Sequence, residues 1–142
     1  MIYFLKATAF NLPRATSLAG ILLILLVGLI HLYKFPEHFE AAAYVGVLFL
    51  ANFAGSLVAA VGIYRGVHGW GWLLGAVIAG GAFVAYLASR TLGLPGFEEA
   101  VGKWGTPWGT FSLMIESLFL AGYLSLVTGV NVAAPDRRGW HD

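Results

Sequence analysis

The sequence has no cysteine, and only 8 basic and 7 acidic side chains among 142 residues. Without cysteine there is no disulfide framework, thiolate metal site, iron–sulfur cluster or cysteine nucleophile. A soluble domain carries charge on about a quarter of its residues. Here the fraction is 11%, too little to cover a water-exposed fold. The formal net charge of +1 gives no electrostatic footprint for nucleic acid. Phosphate-binding glycine loops, the G-x-S-x-G elbow, H-E-x-x-H and the dinucleotide fingerprint are all missing, so the reading leans away from an enzyme.

What is present is apolar: 59% of residues are hydrophobic. A spanning helix needs about 20 mainly apolar residues. Four segments qualify, at about residues 15–33, 41–64, 70–90 and 108–130. Strict period-2 alternation is absent, so the expected spans are helices and not barrel strands. The fold expected is a single all-α domain over residues 1–142, an integral membrane up-down-up-down four-helix bundle. A signal peptide is a poor account of the first segment, which is long and ends in His31–Pro36 without a small-residue cleavage pattern. Residues 1–12 are too short to cross and are expected at the interface.

Pro36 suits the first turn of the second helix, with Glu37 and Glu40 at its positive end. Thr106 and Pro107 suit an N-cap and first residue of the fourth. The longest connection, Thr91 to Gly105, carries turn chemistry at Leu92–Gly96 and then a segment, Phe97–Trp104, expected as a short interfacial amphipathic helix capping the bundle. Lys6, Arg14, Arg65, Arg137 and Arg138 fall on the side of both termini, against Lys34, Arg90 and Lys103 on the other. This bias predicts cytoplasmic termini and a multi-pass cell-membrane protein. Tyr33, Tyr44, Tyr64, Trp70, Trp72, Trp104 and Trp108 are expected as interfacial aromatics. Small-residue stripes, Ala51/Gly55/Ala59, Ala76/Gly80 and Gly81/Ala85, are expected to pack helices closely.

Polar residues inside spans are expensive and usually face the bundle interior. His31, Asn52, Tyr86, Arg90 and Glu116 are the expected ligand-binding set, with Ser56 and Tyr123 as further polar members. Side chains lean toward helix N-termini. On that basis His31 and Arg90 lean down, Asn52 and Glu116 lean up, and the four are expected to meet at one level, with Arg90 and Glu116 as an ion pair. Such a pair could equally serve only to pin helices together.

The segments His31-Leu-Tyr33, Leu48-Phe-Leu-Ala-Asn52 and Ser112-Leu-Met-Ile-Glu116 resemble those of small bacterial four-helix membrane proteins, over roughly residues 17–130. The resemblance implies a polar cluster and brings no activity with it.

Three functional readings stay open. One is a small binding protein or carrier. In it Arg90 holds an anionic group or keeps Glu116 charged, Glu116 takes a proton or cation, and His31 and Asn52 orient the ligand. The second is an accessory subunit of a larger complex, or a homo-oligomer. The third, ranked below them, is a haem- or quinone-using redox protein: His31 with Glu116 is a thin metal-ligand set, His31 and His38 suit a haem only if the second helix starts deep, and the cofactor and any metal are not fixed by the sequence.

Overall fold

A computed structural model describes residues 14–66 and 69–129. Expectations for residues 1–12 and for the C-terminal arginines Arg137 and Arg138 lie outside that range. The described residues form four helices and no strand: α1 (Arg14–Ala41), α2 (Ala43–Arg65), α3 (Trp70–Thr91) and α4 (Pro107–Val127). Each is long and apolar enough to cross a membrane. The chain therefore fits a small polytopic membrane protein.

The first helix corrects the sequence reading. It runs on through Pro36 to Ala41, so His31, Pro36, Glu37 and His38 all lie on α1. Proline costs one intrahelical hydrogen bond, yet here it does not end the helix. The break falls instead at Ala42, which is extended (φ −155°, ψ 115°). Its amide donates back to the His38 carbonyl at 2.9 Å, while its own carbonyl accepts from the amides of Val45 and Gly46. One residue thus reverses the chain and leaves α1 and α2 packed along their length.

At α4 the expectation holds in position. Thr106 is extended and Pro107 is the first helical residue, although the threonine side chain makes no capping bond. The α3–α4 connection differs from expectation: Phe97–Trp104 makes only a single 3-10 turn, Glu98–Ala100. The positive φ of Gly93, Gly96 and Gly102 (78°, 72° and 76°) punctuates the segment and leaves no room for a longer helix.

Neighbouring helices pack in opposite directions. Phe39 meets Gly46 and Gly28 meets Ser56 across α1–α2; Gly62 meets Gly71 and Gly55 meets Ile78 across α2–α3; Gly75 meets Phe119 and Gly109 meets Tyr86 across α3–α4. Contacts between α1 and α4 close the ring, while α2 and α4 do not touch among the described residues.

The two ends of this ring are filled differently. Toward the Trp72 end, glycine lets large rings and bare backbones approach. A Cβ on Gly20 would overlap the Trp72 ring, and one on Gly71 would overlap the α2 backbone at Gly62 and Ile63. Ile24, Val27, Trp72, Ile115, Phe119 and Leu126 make a solid core there. Trp72, expected at the interface, is only 5% exposed and stacks on Phe119 with ring centroids 5.3 Å apart. The notch at Gly20 is what admits an indole. Toward the Arg90 end, by contrast, the helices leave a space lined by Ala51, Gly81, Ala82 and Ala85 alongside larger residues such as Phe49 and Tyr86.

Candidate functional site

The missing volume is a cavity of about 730 Å³ lined from all four helices and from the α3–α4 connection. His31, Asn52, Tyr86, Arg90 and Glu116 all line it. The five residues are therefore brought to one space, but not to one level.

The inner tier is formed by His31, Asn52, Ser112 and Glu116. Glu116 is 2% exposed, and its Oε1 accepts from the Ser112 hydroxyl at 2.7 Å, one turn away on α4. Ser56, fully buried on α2, directs its hydroxyl at Asn52 Oδ1 across a long 3.5 Å. His31 Nδ1 donates to the Val27 carbonyl at 2.8 Å. This bond fixes the neutral tautomer and leaves Nε2 as an acceptor.

The outer tier is formed by Lys34, Glu37, His38, Arg90, Glu99 and Lys103. Lys34 and Glu37 make an ion pair, the single one among the described residues. The Arg90 guanidinium lies over the Tyr86 ring, 4.5 Å from its centroid. Its Nη1 donates to Ser89 Oγ at 3.2 Å, while its buried Nε has no acceptor. The expected Arg90–Glu116 ion pair is absent. Register explains why. Gly109 opposite Tyr86 and Gly75 opposite Phe119 set Glu116 level with Ile78 and Ala79 of α3. That is about 16 Å of helix rise from Arg90, at 1.5 Å per residue, further than an arginine side chain can span. Side-chain lean toward helix N-termini, on which the common level is expected, does not fix how far α4 slides along α3.

Two features went unseen in the sequence. His31 and His38, two turns apart on α1, repeat one arrangement: His38 Nδ1 also donates to the carbonyl four residues back, at Lys34, 2.8 Å away. Phe49 of α2 packs against both imidazoles, with centroids 4.7 Å from His31 and 4.1 Å from His38. The pair therefore lies along one helix. A haem held by two imidazoles needs them on facing helices, and continuation of α1 past Pro36 removes that geometry. No group of three or more His, Asp or Glu among the described residues is placed to hold a metal ion.

The second feature is how firmly the connection is tied across the outer end of the cavity. Leu94, Phe97, Glu99, Ala100 and Lys103 line it. Tyr44 of α2 donates to the Pro95 carbonyl at 2.7 Å, and Tyr86 of α3 donates to the Trp104 carbonyl at 3.3 Å. The Gly102 amide donates to the Arg90 carbonyl at 2.9 Å, and Phe97 packs on His38 of α1 at 5.4 Å. Within the connection, Glu98 Oε1 accepts from the Gly96 amide at 2.9 Å. Backbone N–H groups, its own first and then that of Gly96, hold the Glu98 carboxyl below its ordinary value.

Comparison with protein-family models, curated proteins and solved structures finds no match.

Proposed function

We propose that the chain is a membrane-embedded binding protein or small carrier whose ligand occupies the cavity at the Arg90 end. The observation that carries this reading is the contrast within one small bundle: large side chains fill the Trp72 end, while the other end leaves a cavity lined in part by alanine and glycine beside buried polar groups. A bundle selected only for stability gains from filling such a space, because lost packing contacts cost energy. Helix-bundle cores are also a common location for ligand pockets, which typically measure about 300–1,000 Å³.

In this reading the bundle crosses the membrane up-down-up-down, with both termini in the cytoplasm and the α3–α4 connection at the opposite interface. The arginine and lysine distribution supports that orientation. The outer tier presents Arg90 to the polar part of a ligand, and the inner tier, with an acceptor at His31 Nε2, a carboxyl at Glu116 and an amide at Asn52, sets how deep the ligand sits.

The test is native mass spectrometry of protein released from gentle detergent. Wild type retains a non-protein mass. Gly81→Phe, which fills the cavity from a helical position with open space around it, loses that mass and keeps its melting temperature. A wild-type chain without bound mass in every lipid extract, or a bound mass indifferent to Gly81→Phe, refutes the reading. In the same assay Glu116→Gln changes retention of the ligand or its pH dependence; an effect on melting alone assigns Glu116 a structural role.

A further inference from the structure

We infer that the ligand is an amphiphilic anion, with a carboxylate or phosphate head against Arg90 and an apolar portion extending toward the inner tier. The inference rests on the binding reading above and specifies the chemistry of its ligand.

Arg90 is the starting point. Its Nη1 is taken by Ser89, its plane is stacked on Tyr86, and its Nε is buried without an acceptor. The side-on edge of a guanidinium, Nε and Nη2, is the fork that matches two oxygens of a carboxylate or phosphate. Here that edge has no partner, and Glu116, the acid expected to fill it, lies about 16 Å away along the helix rise. A buried donor left without an acceptor is destabilising, so the arrangement favours an oxyanion supplied from outside the chain.

Charge around the outer tier agrees in sign. Lys34 and Glu37 neutralise each other, leaving Arg90 and Lys103 against Glu99. Between the tiers the walls are apolar at Leu48, Ala82 and Ala85, and Val77 and Ile78 continue them at the level of Glu116. A small hydrophilic anion would leave those walls uncovered. A neutral lipid would leave the guanidinium edge unmet. An oxyanion on an apolar body satisfies both.

Native mass spectrometry with four added probes tests this: oleate, dioleoyl phosphatidate, oleyl alcohol and inorganic phosphate. Wild type is expected to bind oleate or phosphatidate at least about tenfold more tightly than oleyl alcohol, the factor that corresponds to one charge-assisted pair. Whichever of the two anions binds more tightly identifies a free fatty acid or a bilayer phospholipid as the source. Arg90→Lys keeps the charge and loses the fork, and should reduce the preference. Lys103→Gln, at an exposed position where substitutions usually change stability little, should reduce it further. Binding of oleyl alcohol as tightly as oleate overturns the inference. So does phosphate binding as tightly as oleate, or a preference unmoved by both substitutions. If only a neutral mass is retained and Gly81→Phe expels it, the binding reading survives and the amphiphilic anion fails; if nothing is retained at all, the binding reading itself fails.

Discussion

Ser112 donates its hydroxyl to Glu116 Oε1 at 2.7 Å, so the buried carboxyl of α4 finds its partner one turn away on its own helix and not on α3. This local bond frees Arg90 from a structural role toward Glu116. It also turns the most economical sequence reading of the two charged residues, a helix-pinning pair, into a separation between two tiers of one cavity.

Arg90 and Glu116 should therefore be energetically independent. A double-mutant cycle with Arg90→Gln and Glu116→Gln, read by thermal melting in detergent, should give a coupling below about 0.5 kcal/mol, as for distant sites. Breaking a true buried pair would cost about 3–5 kcal/mol, and a coupling of that size would contradict the register.

Ser112→Ala removes the one side-chain partner of Glu116. The expected loss is about 1–3 kcal/mol, the cost of an unsatisfied buried polar group. Ser117→Ala is the control, since its hydroxyl is exposed and bonds only to the Leu113 carbonyl; it should fall within about 0.5 kcal/mol of wild type.

Two glycines on α3 should respond with opposite signs. Gly71→Ala drives a methyl into the α2 backbone and should destabilise by about 1–3 kcal/mol, as overpacking does. Gly81→Ala meets open space and should stabilise by up to about 1 kcal/mol through helix propensity. Chemical or thermal denaturation of both variants in one detergent checks the pair.

Trp72 and Trp70 make a similar contrast two residues apart. Trp72→Ala empties a site between Gly20 and Phe119 and should cost about 3–5 kcal/mol. Trp70, 59% exposed, should cost far less on truncation. Equal costs would mean that the indole of Trp72 does not sit in the core.

The connection over the cavity should loosen in acid. Glu98 is held below its ordinary carboxylate value of 4.5 by backbone N–H groups. A group depressed in the folded state contributes at pH above its ordinary value and loses that contribution as pH falls through the lowered one. Hydrogen exchange at the Gly96 amide should accelerate relative to the intrinsic rate as pH falls from 4.5 through the lowered Glu98 value. In Glu98→Gln the same amide should exchange faster at neutral pH.

The four helices were legible because hydrophobic length is a strong signal where backbone groups must bond within their own segment. His31, Asn52, Tyr86, Arg90 and Glu116 stand out in the sequence because each is out of place in hydrocarbon, and each lines the cavity of about 730 Å³. Register was not legible. Whether Glu116 meets Arg90 or Ser112 depends on how far α4 slides along α3, and that is set by glycine notches such as Gly75 under Phe119 and Gly109 under Tyr86. The small-residue stripes gave no warning that Ala59 and Gly55 would close a contact while Ala51, in the same row, would line empty space. Pro36 misled because a proline inside a helix and a proline opening one look alike in a single sequence. The single residue Ala42, with no turn signature, performed the reversal instead.

The most direct test of the account is an experimental density map of the protein purified from its membrane in mild detergent or lipid discs. The account predicts non-protein density between the Arg90 guanidinium and the Glu116 carboxyl, with oxygen-like features on the Arg90 side. A bundle collapsed until α2 touches α4, with Arg90 bonded directly to Glu116 and no space between them, would contradict it.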